Sequence, residues 1–123
     1  MQIEVQHSPA YAIAIAHLDA GESVIAEGGA MVSKDSHISV TTSAGREGQG
    51  ALSGLMKGIK RMVAGESFFQ NSYVAEGAAG HVTFAPTLQG DVAVHELRQG
   101  TMFIQSTSFL CSAPEIEIDA KWG

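Results

Sequence analysis

Short runs of alternating apolar and polar residues, separated by glycine-containing turns, constrain the fold of this chain more than any other feature. A period of two residues is typical of β-strands that bury one face. The predicted strands lie at 3–6, 12–17, 23–27, 30–32, 37–42, 67–74, 81–85, 91–97, 101–110 and 115–122. The sequence therefore predicts a mainly β fold, either a barrel or a sandwich of short antiparallel strands.

The tetrapeptide DAGE at 19–22 predicts a tight turn between two of these strands. Gly21 suits such a turn because glycine adopts positive φ without a steric penalty. The last segment, 115–122, alternates most regularly, with acidic residues at 115, 117 and 119 opposite isoleucines at 116 and 118. We interpret its acidic side as the solvated face of a strand rather than a metal site, because same-side strand residues lie about 7 Å apart and do not converge on one ion.

One segment departs from the β pattern and predicts an inserted helix near 51–63. Its apolar residues follow the three-and-four spacing of an amphipathic helix. They are Leu52, Leu55, Met56, Ile59, Met62 and Val63. We expect this helix to plug or flank the sheet.

Two groups of residues in the predicted helix are candidate contact surfaces. Lys57, Lys60 and Arg61 form a basic stripe beside the apolar face, and a basic amphipathic helix can bind an anionic membrane surface. The glycines Gly50, Gly54 and Gly58 lie four residues apart on one ridge. A ridge without side chains predicts close packing against a strand or a neighbouring subunit.

The size and charge of the chain limit its organisation and partners. Its 123 residues suit one β-rich domain spanning 1–123. The net charge of −6 makes nucleic acid a poor partner and disfavours general binding to acidic membranes.

The N-terminal sequence and the single cysteine predict a cytoplasmic protein. The chain has no basic-then-apolar start of the kind that secretory signals show, and no apolar run approaches the roughly 20 residues that cross a bilayer. Cys111 is the one cysteine, so neither an intramolecular disulfide nor a cysteine zinc cluster can form. We expect Cys111 to be a buried small hydrophobe.

The usual catalytic and cofactor motifs are missing from the sequence. The glycine-rich GREGQG at 45–50 is followed by Ala51-Leu52, where a phosphate-binding loop needs Lys and Ser or Thr. No GxSxG motif is present. The five histidines are scattered without metal-ligand spacing, although histidines distant in sequence could still meet in space. We therefore predict no catalytic residues, no metal, no cofactor and no enzymatic activity.

Several segments resemble, in order and spacing, the "altered inheritance of mitochondria 24" family. They are LDAGESVIAEGGAMV at 18–32, GESFFQN at 65–71, GHVTFAP at 80–86, GDV at 90–92, the region 100–111 and KWG at 121–123. The resemblance implies a β-rich fold similar to that of the tryptophan RNA-binding attenuation protein, with a helix inserted after the first strands. It also implies closed homo-oligomers without established catalytic residues, and for the mitochondrial member a link to inner-membrane organisation.

The chain is about half as long as members of that family usually are, so it is either a stand-alone single-repeat version or a fragment. We expect self-association to cover what a second half would bury. The sequence thus predicts a non-enzymatic oligomeric scaffold or interaction protein with an unidentified protein partner and, as a side branch, peripheral membrane contact. The alternative is a module that binds a small ligand or RNA between subunits.

Overall fold

A computed structural model of the chain describes residues 1–43 and 70–118. Within these ranges the chain forms eight β-strands and one short 3-10 turn at Ser106–Ser108. The strands are β1 (Gln2–Gln6), β2 (Ile13–Leu18), β3 (Ser23–Glu27), β4 (Met31–Lys34), β5 (Ile38–Ser43), β6 (Gln70–Ala75), β7 (Gly80–Phe84) and β8 (Cys111–Ser112).

The strands form two four-stranded antiparallel sheets. Sheet A has the order β1-β2-β7-β4, and sheet B has the order β5-β6-β3-β8. Buried side chains from both sheets form one hydrophobic core between them. The mainly β prediction is confirmed, and the architecture is sandwich-like rather than a closed barrel.

The core combines a small-residue face on β2 with large aromatic rings from β7 of the same sheet and from β6 of sheet B. Ala14 and Ala16 of β2 point inward and are fully buried. The Tyr73 and Phe84 rings meet edge to face in the core, with centroids 5.4 Å apart, a favoured aromatic geometry. Alanine side chains leave room for these rings at the close packing of protein interiors.

The sequence predicts a tight turn at 19–22, and the structure has a turn there. It connects β2 of sheet A to β3 of sheet B. Gly21 has φ of +85°, and the Glu22 carboxylate accepts a hydrogen bond from the Asp19 amide at 2.7 Å. The Gly21 amide donates to the Ala75 carbonyl at 2.7 Å. The turn is therefore attached to β6 as well as to the strands that it joins.

The predicted strands at 91–97 and 101–110 are wrong. Neither segment forms a strand, and the ladder resumes only at β8, which pairs with Ile25 and Ala26 of β3. Alternation specifies which face a strand would bury, but a strand also needs a neighbouring edge to pair with. In the described part of the chain neither segment pairs as a strand with the sheet edges at β1, β4 and β5, although 101–110 meets β3 at its last residue, where the Leu110 carbonyl accepts the Glu27 amide at 3.0 Å.

The predicted strand at 115–122 is also wrong over the described residues 115–118, where Ile116 donates instead to the Ala113 carbonyl in a turn. The facial alternation nevertheless persists, because Ile116 and Ile118 are half-buried while Glu115 and Glu117 are exposed. The predicted helix at 51–63 lies outside the described residues. Across 1–43 and 70–118, no helix is both long enough and apolar enough to cross a membrane.

We predict that Gly80→Ala destabilises the fold. A Cβ on Gly80 would lie 2.7 Å from Nε2 of His37 and 3.0 Å from Cδ1 of the buried Ile38. The His37 ring is itself held by its hydrogen bond to the Ala79 carbonyl. Overpacking of this kind should lower the free energy of unfolding by about 1–3 kcal/mol, measured by urea denaturation.

Gly90→Ala is the matched control, because a Cβ there meets nothing within 4 Å. This substitution should either leave the free energy of unfolding unchanged or raise it by up to about 1 kcal/mol, because alanine lowers the conformational entropy of the unfolded chain. Equal effects of the two substitutions would contradict the close approach at Gly80.

Candidate functional site

Two histidines distant in sequence face each other on the solvent side of sheet A. His17 of β2 is paired directly with His81 of β7 in the antiparallel register. Their chain neighbours Ala16, Leu18 and Val82 point into the core, so strand alternation directs both imidazoles outward. The ring centroids are 6.1 Å apart.

Each imidazole is held by a carboxylate from a different neighbouring segment. His17 Nε2 lies 2.9 Å from Glu4 Oε1 on β1. His81 Nδ1 lies 3.0 Å from Asp35 Oδ2, just after β4, and that same oxygen accepts the His81 amide at 2.9 Å. We call these four side chains, Glu4, His17, His81 and Asp35, the histidine–carboxylate row.

The carboxylates determine which ring nitrogens remain available. An ionised carboxylate can only accept hydrogen bonds, so the imidazole nitrogen facing it must carry the proton. In the neutral rings, the unprotonated nitrogens are then Nδ1 of His17 and Nε2 of His81. The row thus presents one lone-pair nitrogen on each of two facing imidazoles.

The row borders a polar cleft of about 640 Å³ at the end of β2 and the start of β7. Its lining includes both histidines of the row together with Asp19, Glu22 and Asp35. The Met1 amino group contacts Glu22 Oε2 at 2.7 Å. Hydrogen bonds from this amino group and from the Asp19 amide lower the pKa of Glu22. The remaining carboxylates give the cleft an acidic character.

The ligand inventory of the row is small. Among residues 1–43 and 70–118, no group of three or more His, Cys, Asp or Glu side chains is arranged to hold a metal ion.

The Cys111 side chain packs against the hydrophobic core, and burial raises the pKa of its thiol to about 11. At neutral pH the Cys111 thiol is therefore protonated, and a protonated thiol is a weak nucleophile.

The contact surfaces predicted from sequence cannot be placed. The basic residues Lys57, Lys60 and Arg61 and the glycines Gly50, Gly54 and Gly58 all lie outside the described residues. The sequence does not predict that His17 and His81 pair, because the histidines are scattered along the chain without the close spacing of a local motif. Its one sequence signal was that His17 continues the face of an alternating strand.

The chain matches the family model described as mitochondrial biogenesis AIM24 over residues 3–123. It belongs to that family. The family resemblance of its segments is thereby confirmed. No curated protein matches the chain.

The AIM24-family chain is similar to an X-ray crystal structure of a protein from Streptococcus pyogenes. The two share 24% identity with a TM-score of 0.50, and the match covers 70% of this chain and 38% of that one. The match therefore covers well under half of that protein. At this identity the similarity supports the fold alone.

We predict that the two glutamates Glu4 and Glu27 titrate on opposite sides of the ordinary carboxyl value. The Gln6 side-chain amide donates to Glu4 Oε2 at 2.6 Å, and this bond, followed by the one from His17, lowers the pKa of Glu4. Partial burial raises the pKa of Glu27. Carboxyl chemical shifts followed by NMR during acid titration should show Glu4 titrating below Glu27.

Gln6→Ala should raise the pKa of Glu4 toward its ordinary value of 4.5 and leave Glu27 unchanged. Because the folded pKa of Glu4 is lowered, its contribution to stability is present above the ordinary carboxyl pKa and disappears as pH falls through the lowered value. If the pKa of Glu4 is the same in Gln6→Ala as in the wild-type chain, this hydrogen-bond assignment is wrong.

Proposed function

We propose that this AIM24-family protein is a non-enzymatic scaffold or interaction module that works by self-association. The observation that supports the proposal is a set of large apolar side chains exposed along one segment without strand or helix pairing. Leu88 is 81% exposed, Phe103 77% and Val94 62%, and Met102 and Ile104 are also exposed. Exposed apolar surface of this kind is typical of protein contact sites.

The occupant that this segment fits best is a second copy of the chain. Sequences 91–97 and 101–110 alternate as strands do, yet form no strand within the described protomer. Sheet B ends in the two-residue strand β8, which pairs only with Ile25 and Ala26 of β3. A strand from another copy could continue this short edge while burying its apolar side.

The apolar segment is attached to the sheet at one end. The Ala12 amide donates to the Gly90 carbonyl at 2.9 Å, and Ser8 Oγ donates to Asp91 Oδ1 at 2.7 Å. These contacts lie before β2, at the opposite end of that strand from His17. The segment therefore begins at the end of β2 that lies away from the histidine–carboxylate row.

We predict that Phe103→Glu and Leu88→Glu each reduce the oligomer to monomers. The wild-type chain should show a multiple of the 12.9 kDa protomer mass by light scattering coupled to size exclusion at micromolar concentration. A carboxylate introduced into a buried apolar contact is costly to desolvate. Both side chains are exposed in the protomer, so the fold itself should tolerate the changes.

Gln99→Glu, at an exposed bend between the two alternating segments, is the control for added charge and should leave the mass unchanged. A wild-type chain that is monomeric throughout the micromolar range would overturn the proposal.

The alternative of RNA bound between subunits gains no support from the described surface. The cleft beside the row is acidic, and the net charge is −6, whereas RNA-binding surfaces are basic. The cleft also belongs to a single protomer. A small ligand between subunits stays a hypothesis, as does the cytoplasmic location.

Membrane contact is the side branch of the scaffold proposal, and it depends on the basic stripe Lys57, Lys60 and Arg61. We predict that changing all three to glutamine abolishes co-sedimentation with anionic liposomes, because each basic residue near such a surface contributes about 1 kcal/mol. Neutral liposomes are the control. If the wild-type chain does not bind anionic liposomes, the proposal of membrane contact is wrong.

A further inference from the structure

The paired histidines of sheet A have the features of a small transition-metal site. His17 and His81 are fixed opposite each other by the β2–β7 register, so the backbone sets their separation in advance. Imidazole nitrogen is a preferred ligand of Zn²⁺, Cu²⁺ and Ni²⁺. Each ring here keeps one nitrogen free of its carboxylate partner. We propose that His17 and His81 together bind a divalent transition-metal cation such as Zn²⁺.

The two carboxylates support this assignment as orienting groups. Metal-binding histidines commonly donate their other ring N–H to a carboxylate, which fixes the tautomer and makes the ligating nitrogen more basic. Glu4 holds His17 in this way at 2.9 Å, and Asp35 holds His81 at 3.0 Å.

The required movement is small. A tetrahedral ion with metal–nitrogen bonds of about 2.0–2.1 Å places two imidazole centroids roughly 5 Å apart. The observed separation is 6.1 Å. Both side chains are about half exposed, at 48% and 49%, so modest rotation about their side-chain torsions can close the gap.

The surroundings favour a cation over an anion. Asp19, Glu22 and Asp35 line the adjoining cleft, and the Met1 amino group is already engaged by Glu22. Acidic groups around a cleft raise the local concentration of cations. Among residues 1–43 and 70–118 the site offers two histidine ligands, so water completes the coordination shell.

The test uses the full chain, freed of metal with a chelator and titrated with zinc chloride by isothermal calorimetry. We expect one Zn²⁺ per chain. His17→Gln and His81→Gln should each abolish detectable binding or weaken it at least tenfold. Glu4→Gln should weaken binding by about 10- to 100-fold, the usual effect of removing an orienting carboxylate.

His95→Gln is the matched control, because His95 is an exposed histidine on the segment between β7 and β8, and it should bind Zn²⁺ as the wild type does. Imidazole nitrogen NMR shifts should move on zinc addition for His17 and His81 and stay fixed for His95. Circular dichroism of each variant shows whether the fold is retained.

No zinc binding by the folded wild-type chain would overturn the proposal. So would wild-type affinity in folded His17→Gln, or loss of affinity in His95→Gln. Phe103→Glu should leave zinc binding unchanged, so failure of the metal site and failure of self-association are distinguished.

Discussion

The antiparallel register between β2 and β7 is the constraint on which the described structure depends. It places Ala16 opposite Val82 on the core face and His17 opposite His81 on the solvent face of the sheet. Because strand side chains alternate with a period of two, a slip of β7 by one residue would bring His81 into the core and expose Val82. Burial of the aromatic core and assembly of the histidine pair are therefore one structural event.

The inner face of β2 also explains why the sheets pack as they do. A strand with the sequence IAIAHL offers either isoleucine or alanine to the core, and the alanine side is the buried one. The transfer free energy of isoleucine alone would favour the reverse arrangement. Phe84 of β7 and Tyr73 of β6 in sheet B supply the missing apolar volume, so packing between the two sheets outweighs the preference of the single strand.

Local features of this fold could be predicted from the sequence, and features that depend on distant partners could not. The turn at 19–22 follows from its own residues, since Gly21 provides the positive φ and Glu22 caps the Asp19 amide. Strands β2, β3, β5 and β6 lie within or next to their predicted ranges. The segments 91–97 and 101–110 carry the same alternation, yet they form no strand in the described protomer, because alternation does not specify a pairing partner. The pairing of His17 with His81 depends on a register between distant strands, which no local motif encodes.

Family membership determines less about function than the placement of side chains on this fold. A shared sandwich can carry unrelated activities, so function has to be argued from the site. Here the segment that carries the exposed apolar side chains begins at one end of β2, where the Ala12 amide donates to the Gly90 carbonyl. The histidine pair lies near the other end of that strand. At about 3.3 Å per residue, five residues of strand separate Ala12 from His17 by roughly 17 Å. A cation at the histidine pair would stabilise sheet A by binding only the folded state, while self-association would act through the exposed apolar segment and the β8 edge of sheet B.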